Sequence, residues 1–262
     1  MTLFEGFNSL YAGSGFGVGL IVGLTGVGGG SLMTPILVLL FGIHPATAVG
    51  TDLLYAGLTK ALGTAVHGRH GAVAWRVVGL LAAGSVPASV LTLAALAAMG
   101  PQSAATAALI GTSLGIALIV TATSLVFRNR LIALTQGAGD MSPARQSALT
   151  VTIGVVIGVL VSISSVGAGA IGVTALYFLY PRLPARTIVG SDIAHAVPLT
   201  LVAGAGHWLI GAVDFAMLGS LLTGSLPGIV VGGLIAPRLP DAFLRNTLAV
   251  VLLIVGVRLI LV

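Results

Sequence analysis

The chain has 262 residues, 57% hydrophobic and only 6% charged, with a mean hydropathy of +1.15 and a net charge of +5. A soluble domain carries roughly 25% charged residues, so this composition excludes a soluble surface and marks an integral membrane protein. The absence of cysteine excludes disulfides and thiolate metal sites, and basic residues scattered at the ends of apolar runs, with no stripe or aromatic interleaving, point to membrane orientation and not to nucleic acid.

The segment MTLFEGFNSL has no basic start, so no cleavable leader is expected. Apolar runs of membrane length then follow one another. Leu10–Phe41 is interrupted by the glycines of GVGGGS, and Pro45–Val66, Ala74–Met99 and Gln102–Phe127 come after it. A polar stretch, Arg128–Gln146, separates these from a second set: Ala148–Tyr180, broken at VGAGAIG, then Ala185–Leu209, Val213–Ala236 and Ala242–Val262. The expected organisation is a first membrane repeat over 1–127, a cytoplasmic linker over 128–147 and a second membrane repeat over 148–262.

The second set repeats the first. Laid on Val189–Val230 without a gap, Val49–Val90 is identical at fifteen of 42 positions. Gly50-Thr51-Asp52 falls on Gly190-Ser191-Asp192, His67 on His207, and Gly84-Ser85-Val86-Pro87 on Gly224-Ser225-Leu226-Pro227. One residue of slippage upstream brings Val27-Gly28-Gly29-Gly30-Ser31 onto Val166-Gly167-Ala168-Gly169-Ala170. Gly167–Gly172 spells G-x-G-x-x-G, with Asp192 twenty residues on, as in a dinucleotide fingerprint. Its counterpart lacks that spacing, and a βαβ unit has no place between membrane-length runs. Gly111–Gly115 spells G-x-S-x-G inside a helical run and is read as chance.

Arginines decide how the broken runs lie. If all eight runs cross, ten helix-end arginines divide six against four. If each broken run dips in and returns, with arms of about 13 residues reaching mid-bilayer at about 1.5 Å per residue, nine gather on one face and only Arg258 on the other. The positive-inside rule favours the second layout. The expected fold is all-α: two inverted repeats, each a glycine-broken re-entrant hairpin plus three transmembrane helices, with both termini periplasmic. Inverted repeats with broken helices at the midplane are a transporter architecture.

A helix interrupted at the midplane offers backbone N–H groups and a positive dipole end, which suit an anion. The candidate substrate-binding residues are Gly28, Gly29, Gly30, Ser31 and Thr34 in one copy, and Ser164, Ser165, Gly167, Ala168 and Gly169, with Ser162, in the other. Close helix packing is the alternative role for such glycines. Asp52 and Asp192 could relay protons, bind a coupling cation, or accept backbone N–H bonds from a neighbouring hairpin. Asp192 and His195 are spaced to touch, and their matched pair is Asp52 and Tyr55. His67 and His207 are either gating residues or interfacial histidines on the last carbonyls of their helices. No ligand spacing points to a metal, and no cofactor is expected. Pro87 and Pro227 are expected to kink their helices, and Trp75, Trp208 and Phe215 to anchor them at the interface. Lys60, the only lysine, lies inside an apolar run where its repeat partner is Thr200. It is either a fixed charge for the anion or a snorkelling side chain.

GVGGGSLMTPIL, HPATAVGTDLL and HGRHGAVAW, repeated more loosely as SSVGAGAIGV, ARTIVGSDIAHA and HWLIGAV, resemble the TauE/SafE sulfite exporter family of bacterial membrane transporters. The resemblance implies an inner-membrane secondary transporter that exports small sulfur-containing anions, sulfite or organosulfonates, by alternating access. Coupling to a proton or cation is possible on this reading. The alternative is an intramembrane enzyme or an assembly partner without transport, which no catalytic motif favours.

Overall fold

A computed structural model describes residues 7–25, 30–69, 73–135 and 141–261, and of His67 the backbone alone. In an apolar layer a chain must satisfy its own backbone groups, and the described residues do so as α-helices. The first set is α1 (Ser9–Thr25), α2 (Gly30–Leu39), α3 (Pro45–Arg69), α4 (Trp75–Met99) and α5 (Ala104–Thr135). The second is α6 (Pro143–Ser164), α7 (Ala170–Leu179), α8 (Ala185–Leu209), α9 (Phe215–Ile235) and α10 (Asp241–Leu261). Among the described residues six helices are long and apolar enough to cross a membrane: α4, α5, α6, α8, α9 and α10. Large apolar side chains on several of them, such as Leu91, Val230, Leu234 and Ile254, point outward, as a lipid-facing surface requires.

The broken runs differ from the even arms expected of them. Their arms have 17 and 10 residues in α1 and α2, and 22 and 10 in α6 and α7. The reason is local for α6. Ser142 caps it by accepting from the Arg145 N–H, and Pro143 occupies its first turn, so the helix starts inside the polar stretch. That stretch is shortened from the other side too, because α5 runs on to Thr135. In each pair the short helix folds back along the long one. The Tyr11 and Phe41 rings lie 4.9 Å apart. At the repeat offset Thr150 and Tyr180 share a hydroxyl bond of 2.8 Å, and Gln146 donates to the Leu179 carbonyl at 2.5 Å.

Glycines set how the helices meet. Gly15 and Gly19 of α1 face the backbone of Leu221 and Ser225 on α9, and Gly154 and Gly158 of α6 face Leu81 and Ser85 on α4. Gly224 meets Ala12 as Gly84 meets Val151. Each contact thus recurs at the sequence-repeat offset with the two sets exchanged. Equivalent helices run antiparallel: Gly50 of α3 lies at His207 and Ala212, and Gly57 at Leu201 of α8. Between α5 and α10, Gly115 meets Ile260 and Ile119 meets Gly256. Two side-chain locks repeat as well. Ser191 accepts the Ala74 N–H at 2.8 Å before α4, and Thr51 accepts the Asp214 N–H at 3.1 Å before α9. Pro87 and Pro227 sit inside α4 and α9, which continue past them.

These contacts predict which glycines resist a side chain. A Cβ at Gly158 would lie 2.8 Å from the Ser85 Cα, whereas Gly13 and Gly17 have nothing within 4 Å. Gly158→Val is expected to destabilise the protein by about 1–3 kcal/mol, and Gly17→Ala to leave it unchanged or slightly firmer. Thermal unfolding of the detergent-purified variants measures both.

Candidate functional site

The break between α6 and α7 is the best-defined candidate site. Ser165 ends α6 in a left-handed conformation at φ 59°, and Gly167 and Gly169 stand at φ 126° and 145°, values that favour glycine. The Ser164 hydroxyl donates to Leu160 O at 2.7 Å and accepts from Val166 N–H at 3.3 Å, so it closes the turn. Ser162 donates to Ser89 at 2.7 Å across to α4. Beyond the turn Gly169 caps α7 without a side-chain bond, and the first backbone bonds there are Gly172 N–H to Gly167 O and Val173 N–H to Gly169 O. The N-terminal amides of α7 therefore open toward the break.

Charged and hydroxyl groups from other helices surround this turn. The Lys60 ammonium donates to the Ala168 carbonyl at 3.3 Å, so its long side chain is directed into the break. Asp52 is fully buried; its Oδ2 accepts from Thr34 of α2 at 2.5 Å, and Ser165 and Lys60 stand close to it. Its Oδ1 and the Ser165 Oγ are buried with no hydrogen-bond partner. Asp192 on α8 also lies in the field of Lys60, and its unpartnered Oδ1 rests on the backbone of Gly172. One ammonium thus lies in the field of two buried carboxylates.

Of the expected site residues, Thr34, Asp52, Lys60, Ser165, Gly167, Ala168, Gly169 and Asp192 converge here. Ser31 is buried in the first turn of α2, which starts at Gly30. Gly28 and Gly29 lie outside the described residues, as does the His67 side chain. Three sets of expected residues are engaged within the scaffold. Ser162 and Ser164 have their hydroxyls bonded within the scaffold. His195 turns its Nε2 to Ser85 at 2.8 Å instead of to Asp192; its counterpart Tyr55 faces Ser225, the repeat partner of Ser85. His207 is fully buried among the helices, and its Nε2 donates to the Ser162 carbonyl of α6 at 2.9 Å instead of to its own helix. The reason is packing: α8 ends beside the terminus of α6, whose late carbonyls need a donor. Trp75, Trp208 and Phe215 are exposed, with Trp208 edge-on to Phe215 at 5.9 Å. Among the described residues no group of acids and histidines is placed to hold a metal.

Gly172 and Ser85 escaped the sequence reading. A Cβ at Gly172 would overlap the Asp192 carboxylate. The signal was the last glycine of the spurious fingerprint, twenty residues before that acid. Ser85 was visible as the repeat partner of Ser225.

Comparison with known proteins agrees with this architecture. Residues 11–259 match the family model described as Sulfite exporter TauE/SafE. The "Probable membrane transporter protein YjnA" of Bacillus subtilis is 38% identical, over 94% of this chain and 97% of its own. YdhB of the same organism, described likewise, is 27% identical over 94% and 97% of the two chains. A "Probable membrane transporter protein" of Xylella fastidiosa is 24% identical over 87% of this chain and 84% of its own. No solved structure matches. With nearly its whole length matched, this multi-pass chain belongs to the sulfite exporter TauE/SafE family, a family of transporters and not of enzymes.

Proposed function

We propose that the protein exports small sulfur-containing anions, sulfite or organosulfonates, across the bacterial inner membrane, and that the break before α7 receives the anionic head group. The observation that carries this reading is Lys60: the only lysine in the chain crosses from α3 to the Ala168 carbonyl, beside the open amides of α7. A fixed ammonium, N-terminal amides and the Ser165 hydroxyl beside Asp52 form a donor-rich cradle inside an apolar layer. Gly28, Gly29, Gly30, Ser31 and Thr34 are assigned to the matching first break. Asp52, Tyr55, Asp192, His195, His67 and His207 are assigned to coupling or gating.

The proposed topology is two inverted repeats, 1–127 and 148–262, joined by a cytoplasmic linker, with re-entrant pairs α1–α2 and α6–α7 and both termini periplasmic. Antiparallel α3 against α8 and α5 against α10 support inversion, as does the folding back of α7 onto the start of α6. The nine-to-one distribution of arginines supports the orientation. Alternating access then arises as the two repeats rock about the α3–α8 crossing.

Flux of labelled sulfite or methanesulfonate from proteoliposomes tests the activity, and absence of flux for every sulfur anion tried would remove the reading. Lys60→Met is expected to lower flux about tenfold or more with protein level kept, and Lys60→Arg to retain part of it. Full flux in the Met variant would take Lys60 out of the site. Gly172→Ala is expected to displace the Asp192 carboxylate and cost about tenfold in flux. For topology, Leu183→Cys and Leu239→Cys should be shielded in intact cells from a membrane-impermeant thiol reagent, and Gln102→Cys labelled. Labelling at position 183 would mean that the second broken run crosses fully.

A further inference from the structure

Resting on the anion-transport reading above, we infer that each anion charge moves together with one proton, carried by the Asp52 and Asp192 carboxylates as a pair. Three ionisable groups meet at the break. Lys60 contributes one positive charge and the two aspartates two negative ones when ionised, so the site then stands at one net negative charge. Adding a monovalent anion would make it two, inside a layer without counterions. Low-dielectric surroundings penalise that accumulation steeply. One proton per anion charge holds the net charge of the site constant, whatever its value when empty.

Geometry says where the proton goes. Asp192 Oδ1 is buried and has no hydrogen-bond partner, and Asp52 Oδ1 is buried with only the Ser165 hydroxyl beside it, outside direct bonding geometry. A carboxylate locked for structure alone would have its oxygens satisfied, as Asp52 Oδ2 is by Thr34. The free oxygens can take a proton: a lone pair of Oδ1 forms the O–H bond with a proton from water on one side, and the bond breaks to water on the other. Because both carboxylates lie in the field of one ammonium, the proton belongs to the pair and not to one member.

Among the described residues no other titratable group competes at this level. From α3 the pair meets Lys60 and Tyr55; from α8, His195, which is bonded to Ser85. On α4 and α6 the only charged residues are Arg76 and Arg145, near their starts, and α7 carries Tyr177 alone. His207 is bonded to the Ser162 carbonyl. Lys60 is also what makes the two halves unequal, since Thr200 in its place on α8 bonds only its own helix, at Ala196 O and Val197 O. A metal cation as the coupling ion is disfavoured by the ammonium within the same cluster.

The test uses purified protein in proteoliposomes with a trapped pH dye, potassium and valinomycin to clamp voltage, and methanesulfonate, which carries no proton of its own near neutral pH. A methanesulfonate gradient imposed at equal pH should move protons in the same direction, about one per anion. An imposed proton gradient should drive the anion, and a sodium gradient should not. Anion flux without proton movement, or driven by sodium, overturns the coupling while leaving transport intact. No flux of methanesulfonate or sulfite overturns the transport reading itself. If only sulfite is carried, the charge moved per sulfur is compared between wild type and the Asn variants. Asp52→Asn and Asp192→Asn should each uncouple the residual flux from protons and flatten its pH profile. Lys60→Met, which removes the cation that favours the ionised carboxylates, should shift the flux optimum to higher pH by about one unit or more. Wild-type coupling in both Asn variants, or an unmoved profile in Lys60→Met, would remove the pair from the proton path.

Discussion

Lipid offers no partner to a backbone amide or carbonyl, so a helix can be interrupted inside the membrane only where protein surrounds the interruption. The arrangement around Ser165–Gly169 follows from that constraint. The turn spends its own serine, Ser164, on the last carbonyls of α6, and Gly172 N–H on Gly167 O. Ala168 O receives its donor from Lys60, a helix away. The glycines that draw α6 onto α4 belong to the same solution, because a backbone-to-backbone approach at Gly154 and Gly158 leaves no room for lipid beside the long arm. Packing and site are therefore one requirement seen twice: the glycine face brings the helices together, and the packing around the turn shields its open amides.

Exchange symmetry distributes these devices in pairs, and the exceptions to it are chemical. Thr51 and Ser191 make the same helix-start lock in each half. Ser85 and Ser225 each stand opposite α8 or α3, yet one meets His195 and the other Tyr55. Asp52 and Asp192 are retained in both halves, but Lys60 faces Thr200. An apolar layer tolerates a charge poorly, so a second ammonium at the Thr200 position would add its own desolvation cost and repel the first. A single lysine in the field of two carboxylates offsets one of their charges without that added cost.

How much of this the sequence carried depends on the scale. The all-α membrane class was legible in composition, and the duplication in identities such as Gly50, Asp52, His67 and Pro87 with their partners. Lys60, Asp52 and Asp192 were legible because ionisable residues stand out in an apolar run. Arm length was not, because apolar periodicity cannot see that Ser142 and Pro143 begin a helix within a polar stretch. Nor could the burial of His207 be read: a histidine five residues before an Ala-Val turn looks interfacial until the end of α6 is placed against it. Side-chain partners such as Ser85 for His195 lie 110 residues apart and follow only from which helices meet.

The glycine string Gly167–Gly172 sharpens the point about motifs. In a soluble nucleotide fold, its glycines admit a tight turn, a pyrophosphate and a close helix–strand contact, and an acid some twenty residues on binds ribose. Here Gly167 and Gly169 also supply conformations closed to other residues, and the third glycine also admits a close approach. What approaches Gly172 is Asp192, the very acid that completes the fingerprint. The letters answer to the same elementary facts, that glycine lacks a Cβ and that a helix start attracts negative charge. Lipid in place of water changes what those facts build: the acid reaches the glycine through helix packing, and the helix start faces Lys60 and its carboxylates instead of a cofactor.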